Sequence, residues 1–405
     1  MMHLKANPSR FVSALAWLVY VTAYLGRINL SITIPFLQNE FGYSKTALGF
    51  LASGFFVAYA AGQLINGIIG DRVQVRYFVS LGLIVAGISN LAFSFTRSFP
   101  VMFIAWSLNG YFQSMLWGPL LRTISEYTPA AKLYKAMFLM STTPVIGYLS
   151  SYLITGRLVT YAGWEAAYLV PGILFILMAG TWYLGIGKIN GNTQTPPQPQ
   201  NTGAGSVPHR SGDKIFKFIF HSKIYLLIIL GIFIGIAKEG LTLWGPAIFT
   251  EFFSQDLNRT LYLLSVIPII NFFFVILNGL LYKKNPELEY FIIIVYLAIT
   301  ILSAFIILLL PDIAFFTKIV FFYGLMASLY VITNNMTSYL PFNFMQNGRV
   351  SASAGIIDSS LYLGAAIAGP LMGTAADKFG WNGIFVGVIV IGAAAVVPCL
   401  FVRKR

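Results

Sequence analysis

The chain has 405 residues, of which 57% are hydrophobic and only 10% are charged. Soluble domains carry about 25% charged residues, so this composition excludes an ordinary soluble domain and indicates an integral membrane protein. The one cysteine, Cys399, excludes an internal disulfide framework, and the three histidines lie outside the apolar segments, so we expect no metal site and no cofactor. The net charge of +13 does not indicate a nucleic-acid partner, because the cations lie in alternate loops between apolar segments.

Twelve apolar segments, each long enough to span a bilayer at roughly 20 residues or more, follow one another along the chain. A polar stretch rich in Pro, Gln and Asn separates six of them from the other six and is typical of a flexible linker. The predicted spans are 11–37, 46–70, 77–95, 100–122, 133–159 and 164–186, followed by 222–250, 259–282, 288–310, 314–340, 350–376 and 381–402.

This pattern predicts an all-α integral membrane protein in three parts. An N-terminal six-helix half covers 1–186, a cytoplasmic linker covers 187–221, and a C-terminal six-helix half covers 222–405. We expect no cleavable signal peptide, because the first apolar run is too long and has no small-residue cleavage site.

Lysine and arginine residues in the loops predict the orientation of the spans. An even number of spans places both termini on one side, and the loops of that side hold most of the cations. We therefore expect a multi-pass protein of the cell membrane, in a bacterium the inner membrane, with both termini in the cytoplasm. The cations in question are Lys5, Arg10, Arg72, Arg76, Lys132, Lys135, those of the linker, Lys283, Lys284, Arg349 and Arg403 to Arg405.

Two stretches in corresponding places of the two halves repeat one pattern. The first runs from Arg27 to Pro35 and the second from Lys238 to Pro246; each has a cation, Ser or Thr four positions on, and Pro eight positions on. In the same way, Gly163-Trp164 opens the sixth span and Gly380-Trp381 opens the twelfth. The repeat predicts two pseudo-symmetric halves related by an axis along the membrane normal, with a substrate site between them near the midplane.

The cation of each repeated stretch lies deep in its span. A cation there costs about 2.5–3.5 kcal/mol on insertion scales, so it usually faces a cavity and has a function. Arg27 carries a planar fork of donors suited to phosphate or carboxylate, and Tyr20 and Tyr24 share its helical face. We expect Arg27 and Lys238 to bind a small anion; structural pairing of either cation with an acid is the alternative.

Two acids also lie inside spans. Glu239 directly follows Lys238, so their Cα positions differ by about 100° around the helix, and we expect the two side chains to point in different directions. Asp358 shares a helical face with Tyr362. Either acid could hold a basic residue between transport steps or carry a coupling proton, and a purely structural pairing is the alternative.

Further polar or aromatic residues at span depth are candidates to contact a substrate. Polar side chains within a span must form hydrogen bonds or face a water-filled cavity. Gln63, Gln113 and Asn334 are such residues and are therefore candidates. Trp117 lies on the same helix as Gln113 and is a further candidate, with ordinary packing as the alternative.

The cytoplasmic end of the second span, Gly67-Ile-Ile-Gly-Asp71-Arg72, indicates a gate or hinge. Its glycines permit close helix approach, and no Gly-Lys-Ser/Thr follows that would make it a phosphate loop. Arg122 ends the fourth span on the same side, where we expect it to pair with an acid. Glu239 is a further gating candidate.

Several of these segments resemble known families. Gly67-x-x-x-Asp71-Arg72 resembles a loop signature of the major facilitator superfamily. The stretch Asn109-Gly-Tyr-Phe-Gln113-Ser-Met-Leu-Trp117-Gly-Pro119-Leu-Leu-Arg122-Thr is similar to the fourth helix of the organophosphate:phosphate antiporters, which include glycerol-3-phosphate and hexose-phosphate transporters. Tyr24-Leu-Gly-Arg27-Ile-Asn29 resembles their first helix, in which an arginine binds phosphate.

The resemblance implies a major facilitator fold, a monomer, and exchange of an organic phosphate for inorganic phosphate by alternating access. It also implies that Arg27 and Lys238 bind the phosphoryl group. The chain departs from that family in four respects. A second phosphate-binding arginine falls on Lys238, so a planar fork of donors is replaced by a point charge, and a lysine of the glycerol-phosphate members falls on Gln63. A histidine of their fifth helix falls near Thr142 to Pro144, and a tyrosine of their seventh helix falls on Gly235.

Two alternatives remain open. Phe55 to Gln63 is more similar to the anion:cation symporters, so a proton- or sodium-coupled symporter of an organic anion is the main alternative, with Asp358 or Glu239 in coupling. A sensor with a transporter fold, which binds a sugar phosphate without moving it, is another. An enzyme is not expected, because no nucleophile–base pair or metal cluster emerges within the spans.

Overall fold

The computed structural model describes residues 8–70, 72–192, 223–284, 288–309, 314–341 and 350–402. Every regular element within these ranges is helical, and none is a strand, as the apolar segments predicted. Contacts along the chain divide it into two compact units. The N-terminal unit contains Met1–Thr33 and Gly54–Gly205, and the C-terminal unit contains Ile34–Ser53 and Ser206–Arg405. The half boundaries expected from the sequence, 1–186 and 222–405, stay a prediction, and most of the expected linker lies outside the described residues.

The helices of the first half of the chain follow the predicted spans with local breaks. A π-helical segment, Ser151–Thr155, joins α7 and α8. In order, the helices are α1 Pro8–Phe41, α2 Lys45–Gly70, α3 Val75–Phe95, α4 Phe99–Gln113, α5 Trp117–Tyr127, α6 Ala130–Ser141, α7 Thr143–Ser150, α8 Gly156–Ala162 and α9 Ala166–Asn192.

Over the described residues, the second half of the chain has fewer and longer helices than the first. Two π-helical segments, Ile248–Phe252 and Asn335–Tyr339, extend α10 and α13. The helices are α10 Ile224–Ala247, α11 Leu257–Lys284, α12 Glu289–Leu309, α13 Phe315–Asn334 and α14 Val350–Val402.

Among the described residues, ten helices are long and apolar enough to cross a membrane, and two local features relate them to the twelve predicted spans. The fourth predicted span is interrupted at Ser114–Leu116, so α4 and α5 are each too short to qualify alone. The last two predicted spans make up α14, which consists of two helices joined at Gly380.

The internal repeat seen in the sequence is also present in the backbone. Gly163 and Gly380, each directly before a tryptophan, have φ angles of 84° and 67°. Residues other than glycine rarely adopt such φ angles, which explains why glycine occupies both positions. The turn into the sixth span and the turn into the twelfth are therefore built in the same way.

Close helix contacts and aromatic rings hold the N-terminal unit together. A Cβ atom on Gly87 of α3 would lie 2.8 Å from the carbonyl oxygen of Gly172 on α9, so these two helices approach backbone to backbone. Beside this contact, the rings of Phe93 and Tyr168 stack with centroids 4.0 Å apart. In contrast, Phe95 is 75% exposed, one of many large apolar side chains that remain on the surface, as expected where lipid covers it.

In the C-terminal unit, the start of α2 packs against the middle of α14. Gly49 and Gly369 bring the two backbones into direct contact, and the Ser53 hydroxyl donates a hydrogen bond to the Ala366 carbonyl. The Asp377 carboxylate of α14 accepts hydrogen bonds from the backbone N–H of Thr46 at 2.8 Å and from its hydroxyl at 2.7 Å.

The same carboxylate also accepts from the backbone N–H of Lys45 at 3.2 Å. Asp377 thus satisfies the first N–H groups of α2, which have no acceptor within their own helix. Nearby, Lys45 Nζ lies 3.0 Å from Glu251 Oε2, which also accepts a hydrogen bond from Trp381 Nε1 at 3.1 Å. These contacts fix the first turn of α2 within the C-terminal unit.

Candidate functional site

The helix α1 is broken at Gly26, the residue directly before Arg27. Gly26 has φ −97° and ψ 17°, outside the helical range. Its carbonyl oxygen instead accepts hydrogen bonds from Asn109 Nδ2 at 2.7 Å and from Gln113 Nε2 at 3.0 Å, both on α4. The backbone N–H of Leu30, four residues on, donates to the Asn29 side chain at 3.2 Å. Side chains therefore form hydrogen bonds with the backbone at the break and one turn after it.

Aromatic rings surround the guanidinium group of Arg27 within the N-terminal unit. Its Nε donates a hydrogen bond to Gln113 Oε1 at 3.2 Å. A cation near the faces of aromatic rings is stabilised electrostatically, most strongly where water is excluded. The distances from Arg27 Cζ to the ring centroids are 4.7 Å for Tyr59, 5.2 Å for Tyr24, 5.7 Å for Phe55 and 5.9 Å for Tyr20.

The structure brings the predicted residues of the N-terminal half into this one cluster. Trp117 packs on Tyr20 with ring centroids 4.6 Å apart. Gln63 joins through Tyr59, because its Nε2 donates to the Tyr59 hydroxyl at 2.9 Å. The sequence analysis did not select Phe55 or Tyr59. Both lie on the helical face of Gln63, at successive intervals of four residues, and that spacing was the available signal.

Lys238 of the C-terminal unit is paired with its own neighbour. Lys238 Nζ lies 2.6 Å from Glu239 Oε1, and each side chain is 16% exposed. The expectation that these side chains point in different directions was wrong. Their Cα atoms do differ in direction, but both side chains have long flexible stems that bend toward each other.

Other predicted residues of the C-terminal half lie around this pair. Asp358 of α14 interacts electrostatically with Lys238. The ring of Tyr330 on α13, which the sequence analysis missed, has its centroid 5.5 Å from Lys238 Nζ. Asn334 lies one helical turn beyond Tyr330, with its Nδ2 3.4 Å from Ser338 Oγ.

Tyr362, one turn beyond Asp358, is half-buried. Within the described ranges, no group of three or more His, Cys, Asp or Glu residues is arranged to hold a metal ion.

Of the residues expected at the cytoplasmic gate, Arg122 contacts the end of α2. Arg122 pairs with an acid, as expected: its Nε lies 2.7 Å from Glu126 Oε1, and its Nη1 donates to the Gly70 carbonyl at 2.8 Å. Arg72 is exposed, and a Cβ atom on Gly67 would meet open space. Asp71 lies outside the described residues. The structure therefore links Arg122 to the end of α2, and the gating roles stay predictions.

Comparison with known proteins identifies relatives among phosphate-ester transporters. A probable hexose phosphate transport protein of Chlamydia trachomatis is 31% identical over 162 residues, which are 40% of this chain and 36% of that protein. The glycerol-3-phosphate transporter of Bacillus subtilis is 27% identical over 261 residues, 60% of this chain and 59% of that protein. The matches thus span between about a third and three fifths of these relatives' length.

A solved structure and a family model identify the fold and the family of the chain. The crystal structure of a bacterial homologue of the human lysosomal transporter Spinster superposes with a TM-score of 0.78 at 15% identity, covering 98% of this chain and 97% of that one. The family model described as the Major Facilitator Superfamily matches residues 16–354, well over half of the chain. The chain therefore belongs to the Major Facilitator Superfamily.

Proposed function

We propose that the chain is a secondary active transporter that exchanges an organic phosphate, a sugar phosphate or glycerol-3-phosphate, for inorganic phosphate by alternating access. One observation carries the proposal: each unit holds a partly buried cation inside an apolar span, Arg27 or Lys238, at the same position of the internal repeat. Buried cations at span depth are rare and are usually functional. Relatives named as hexose phosphate and glycerol-3-phosphate transporters support phosphate as the anion.

In this proposal the two cations bind the phosphoryl group in different ways. Arg27 offers two parallel N–H groups to two phosphate oxygens, whereas Lys238 acts as a compact charge. Glu239 already neutralises Lys238, so the anion competes with a resident carboxylate for this cation. An empty site keeps the Lys238–Glu239 pair, and the bound anion exchanges it for phosphate contacts.

Counterflow tests the proposal. Liposomes containing the protein are loaded with inorganic phosphate, and entry of labelled phosphate is followed. We expect fast exchange that glycerol-3-phosphate or a hexose phosphate inhibits, and its loss in Arg27→Ala and Lys238→Ala, because each variant lacks one of the two cations. Arg97→Ala is the matched control, since Arg97 is half-exposed and pairs with Glu165 away from the site. Full exchange in both site variants would overturn the proposal.

A second candidate is proton- or sodium-coupled symport of an organic anion. The observation that favours it is the cluster of Lys238 with two carboxylates, Glu239 and Asp358. These carboxylates could bind a coupling cation or proton. The same liposomes distinguish the two functions. Phosphate exchange that ignores an imposed ion gradient supports antiport, whereas gradient-driven carboxylate uptake that Asp358→Asn abolishes supports symport.

We also propose that the protein works as a monomer in a bacterial inner membrane with both termini in the cytoplasm. The cation distribution of the loops supports this orientation. The orientation is tested with a fluorescent reporter that folds in the cytoplasm but does not become fluorescent after export. We expect fluorescence when it is fused to either terminus. Fusions at both termini that are not fluorescent would contradict the orientation.

A further inference from the structure

The side chains that hold the Gly26 break form a closed network. Asn109 and Gln113 are fully buried, and the Gly26 carbonyl accepts a hydrogen bond from each of them. Asn29 Nδ2 donates to Asn90 Oδ1 of α3 and to the Ala167 carbonyl of α9, both at 3.1 Å. An unsatisfied buried polar group costs about 1–3 kcal/mol, so this network fixes the position of the break against three other helices.

Gln113 differs from the other members because it also contacts the arginine. Its Nε2 donates to the Gly26 carbonyl at 3.0 Å, and its Oε1 accepts from Arg27 Nε at 3.2 Å. One amide thus bridges the backbone directly before Arg27 and the stem end of the guanidinium group. The partners themselves determine the amide orientation, because a carbonyl only accepts and a guanidinium only donates.

The same contacts argue against Gln113 as a ligand of an anion. A phosphate oxygen needs a donor, and both N–H groups of Gln113 are used within the protein, one by Gly26 and the other by Asn109 Oδ1 at 3.0 Å. The remaining atom, Oε1, is an acceptor and would repel an anion. The sequence analysis placed Gln113 among the substrate-binding residues, and this hydrogen-bond pattern gives it another role.

We propose that Gln113 is a positioning residue for Arg27, one that does not itself contact the substrate. By holding Nε while the aromatic rings flank the guanidinium group, it fixes the plane of the fork, so that the terminal nitrogens meet two oxygens of the anion. Bidentate binding depends on that plane. This inference rests on the proposed function for the identity of the anion, and its geometry holds for a phosphate or a carboxylate.

A double-mutant cycle tests the proposal in reconstituted full-length protein. The half-saturating concentration for inorganic phosphate and the maximal exchange rate are measured in wild type, Gln113→Ala, Arg27→Lys and the double variant. Lysine has no Nε–H at the branch point and cannot make the Gln113 hydrogen bond. We expect Gln113→Ala to raise the half-saturating concentration by roughly tenfold in wild type, with a smaller effect on the maximal rate, and by less than about twofold in the Arg27→Lys background.

Asn29→Ala is the matched control, because it removes a buried amide near the break that donates to Asn90 Oδ1 and to the Ala167 carbonyl instead of to a partner of Gln113. We expect it to act equally in both backgrounds. Gln113→Met, which keeps most of the side-chain volume, repeats the cycle if the alanine variant folds poorly. An equal effect of Gln113 substitution in both backgrounds would overturn the proposal, since Gln113 would then act on the fold or on the substrate directly.

Failure of the proposed function has a separate signature. If wild type exchanges no phosphate, the antiport proposal fails, and the same cycle is measured with glucuronate as the carboxylate probe. Coupling between Gln113 and Arg27 with that probe retains the positioning role. Transport of neither probe would overturn both proposals.

Discussion

At the scale of single residues, the two cations inside apolar spans, Arg27 and Lys238, have different surroundings. The guanidinium group of Arg27 lies among aromatic rings and is held by an amide. The ammonium group of Lys238 has a carboxylate 2.6 Å away on the adjacent residue. Removing one partner of a buried pair leaves a charge uncompensated, so the pair resists disruption unless another anion replaces the lost one. Under the proposed function, an incoming phosphate therefore competes with Glu239 for Lys238.

Glu239→Gln is expected to strengthen phosphate binding. The amide keeps the size of the side chain but removes the competing negative charge, so the half-saturating phosphate concentration in counterflow should fall several-fold. Asp358 still interacts with Lys238 in this variant and limits the loss of stability. Glu165→Gln, which breaks the half-exposed pair with Arg97, is the control and should leave phosphate affinity unchanged. Weaker phosphate binding in Glu239→Gln would contradict this account.

Arg27 and Lys238 were identified from the sequence because they lie deep in apolar spans, where charged residues are rare in any fold. The rings of Tyr59 and Tyr330 were not identified, since aromatic residues are ordinary in apolar spans and nothing local separates a ring beside a cation from one that faces lipid. The direction of Glu239 was wrongly predicted, because helical angles locate Cβ atoms and do not limit the reach of a long side chain.

At the scale of elements, the break at Gly26 determines where Arg27 projects. The Gly26 carbonyl accepts a hydrogen bond from Asn109 of α4, and the Asn29 side chain of α1 accepts one from the Leu30 N–H. Glycine is needed here for space: a Cβ atom would lie 2.6 Å from Phe175 Cζ and 3.2 Å from Asn90 Nδ2. The break therefore depends on packing against α3 and α9.

Gly26→Ala should destabilise the protein and impair exchange together. Overpacking of a well-filled core costs about 1–3 kcal/mol, which we expect as a lower melting temperature in detergent and as reduced phosphate affinity through displacement of Arg27. Gly180→Ala in α9 is the control, because a Cβ atom there meets no atom within 4 Å and alanine favours a helix by up to about 1 kcal/mol over glycine. Equal melting temperatures for the two variants would contradict the packing argument.

The helices themselves were predicted and their breaks were not. Span length and apolarity follow from bilayer thickness, so the positions of α2, α3 and α12 agree with the sequence to within two residues. In contrast, α9 continues to Asn192, six residues into the stretch predicted as linker. The interruption at Ser114–Leu116 falls inside the fourth predicted span, shortly before Pro119. Pro119 has no N–H to donate to the carbonyl of Met115, four residues earlier, which disfavours a continuous helix at this point. A tertiary contact that sequence alone does not show, the hydrogen bond from Asn66 Nδ2 to Ser114 Oγ at 2.7 Å, also lies at the interruption.

At the scale of the whole molecule, two helices are shared between the units. Residues 34–41 of α1 and 45–53 of α2 belong to the C-terminal unit, and the remainder of each helix belongs to the N-terminal unit. Sequence analysis located a boundary only at the linker, because a contact-based division depends on which turns pack together. Under the proposed alternating access, residues 45–53 must at some stage leave α14 or bend away from the rest of α2.

Asp377→Ala should loosen this attachment. It removes a carboxylate that caps the first turn of α2, and loss of a cap costs about 1 kcal/mol, equivalent to roughly a fivefold shift in population. We expect Ser53→Cys, in a Cys399→Ser background, to react about fivefold faster with a membrane-impermeant maleimide when Asp377→Ala is added. Asp256→Ala is the control, since Asp256 caps only its own helix through the Arg259 N–H. Unchanged reactivity would show that the cap does not hold the segment.

The adjacency of Lys238 and Glu239 has an electrical consequence. Because neighbours on one helix move together, their pairing does not require any other helix to keep its position. Each elementary charge that crosses the full membrane potential exchanges about 2.3 kcal/mol per 100 mV with the field, but a neutral pair 2.6 Å apart exchanges almost none. Movement of α10 with this pair intact therefore depends very little on the membrane voltage. Under the proposed function, the voltage acts instead on Arg27, on Asp358 and on the charge of the transported anion.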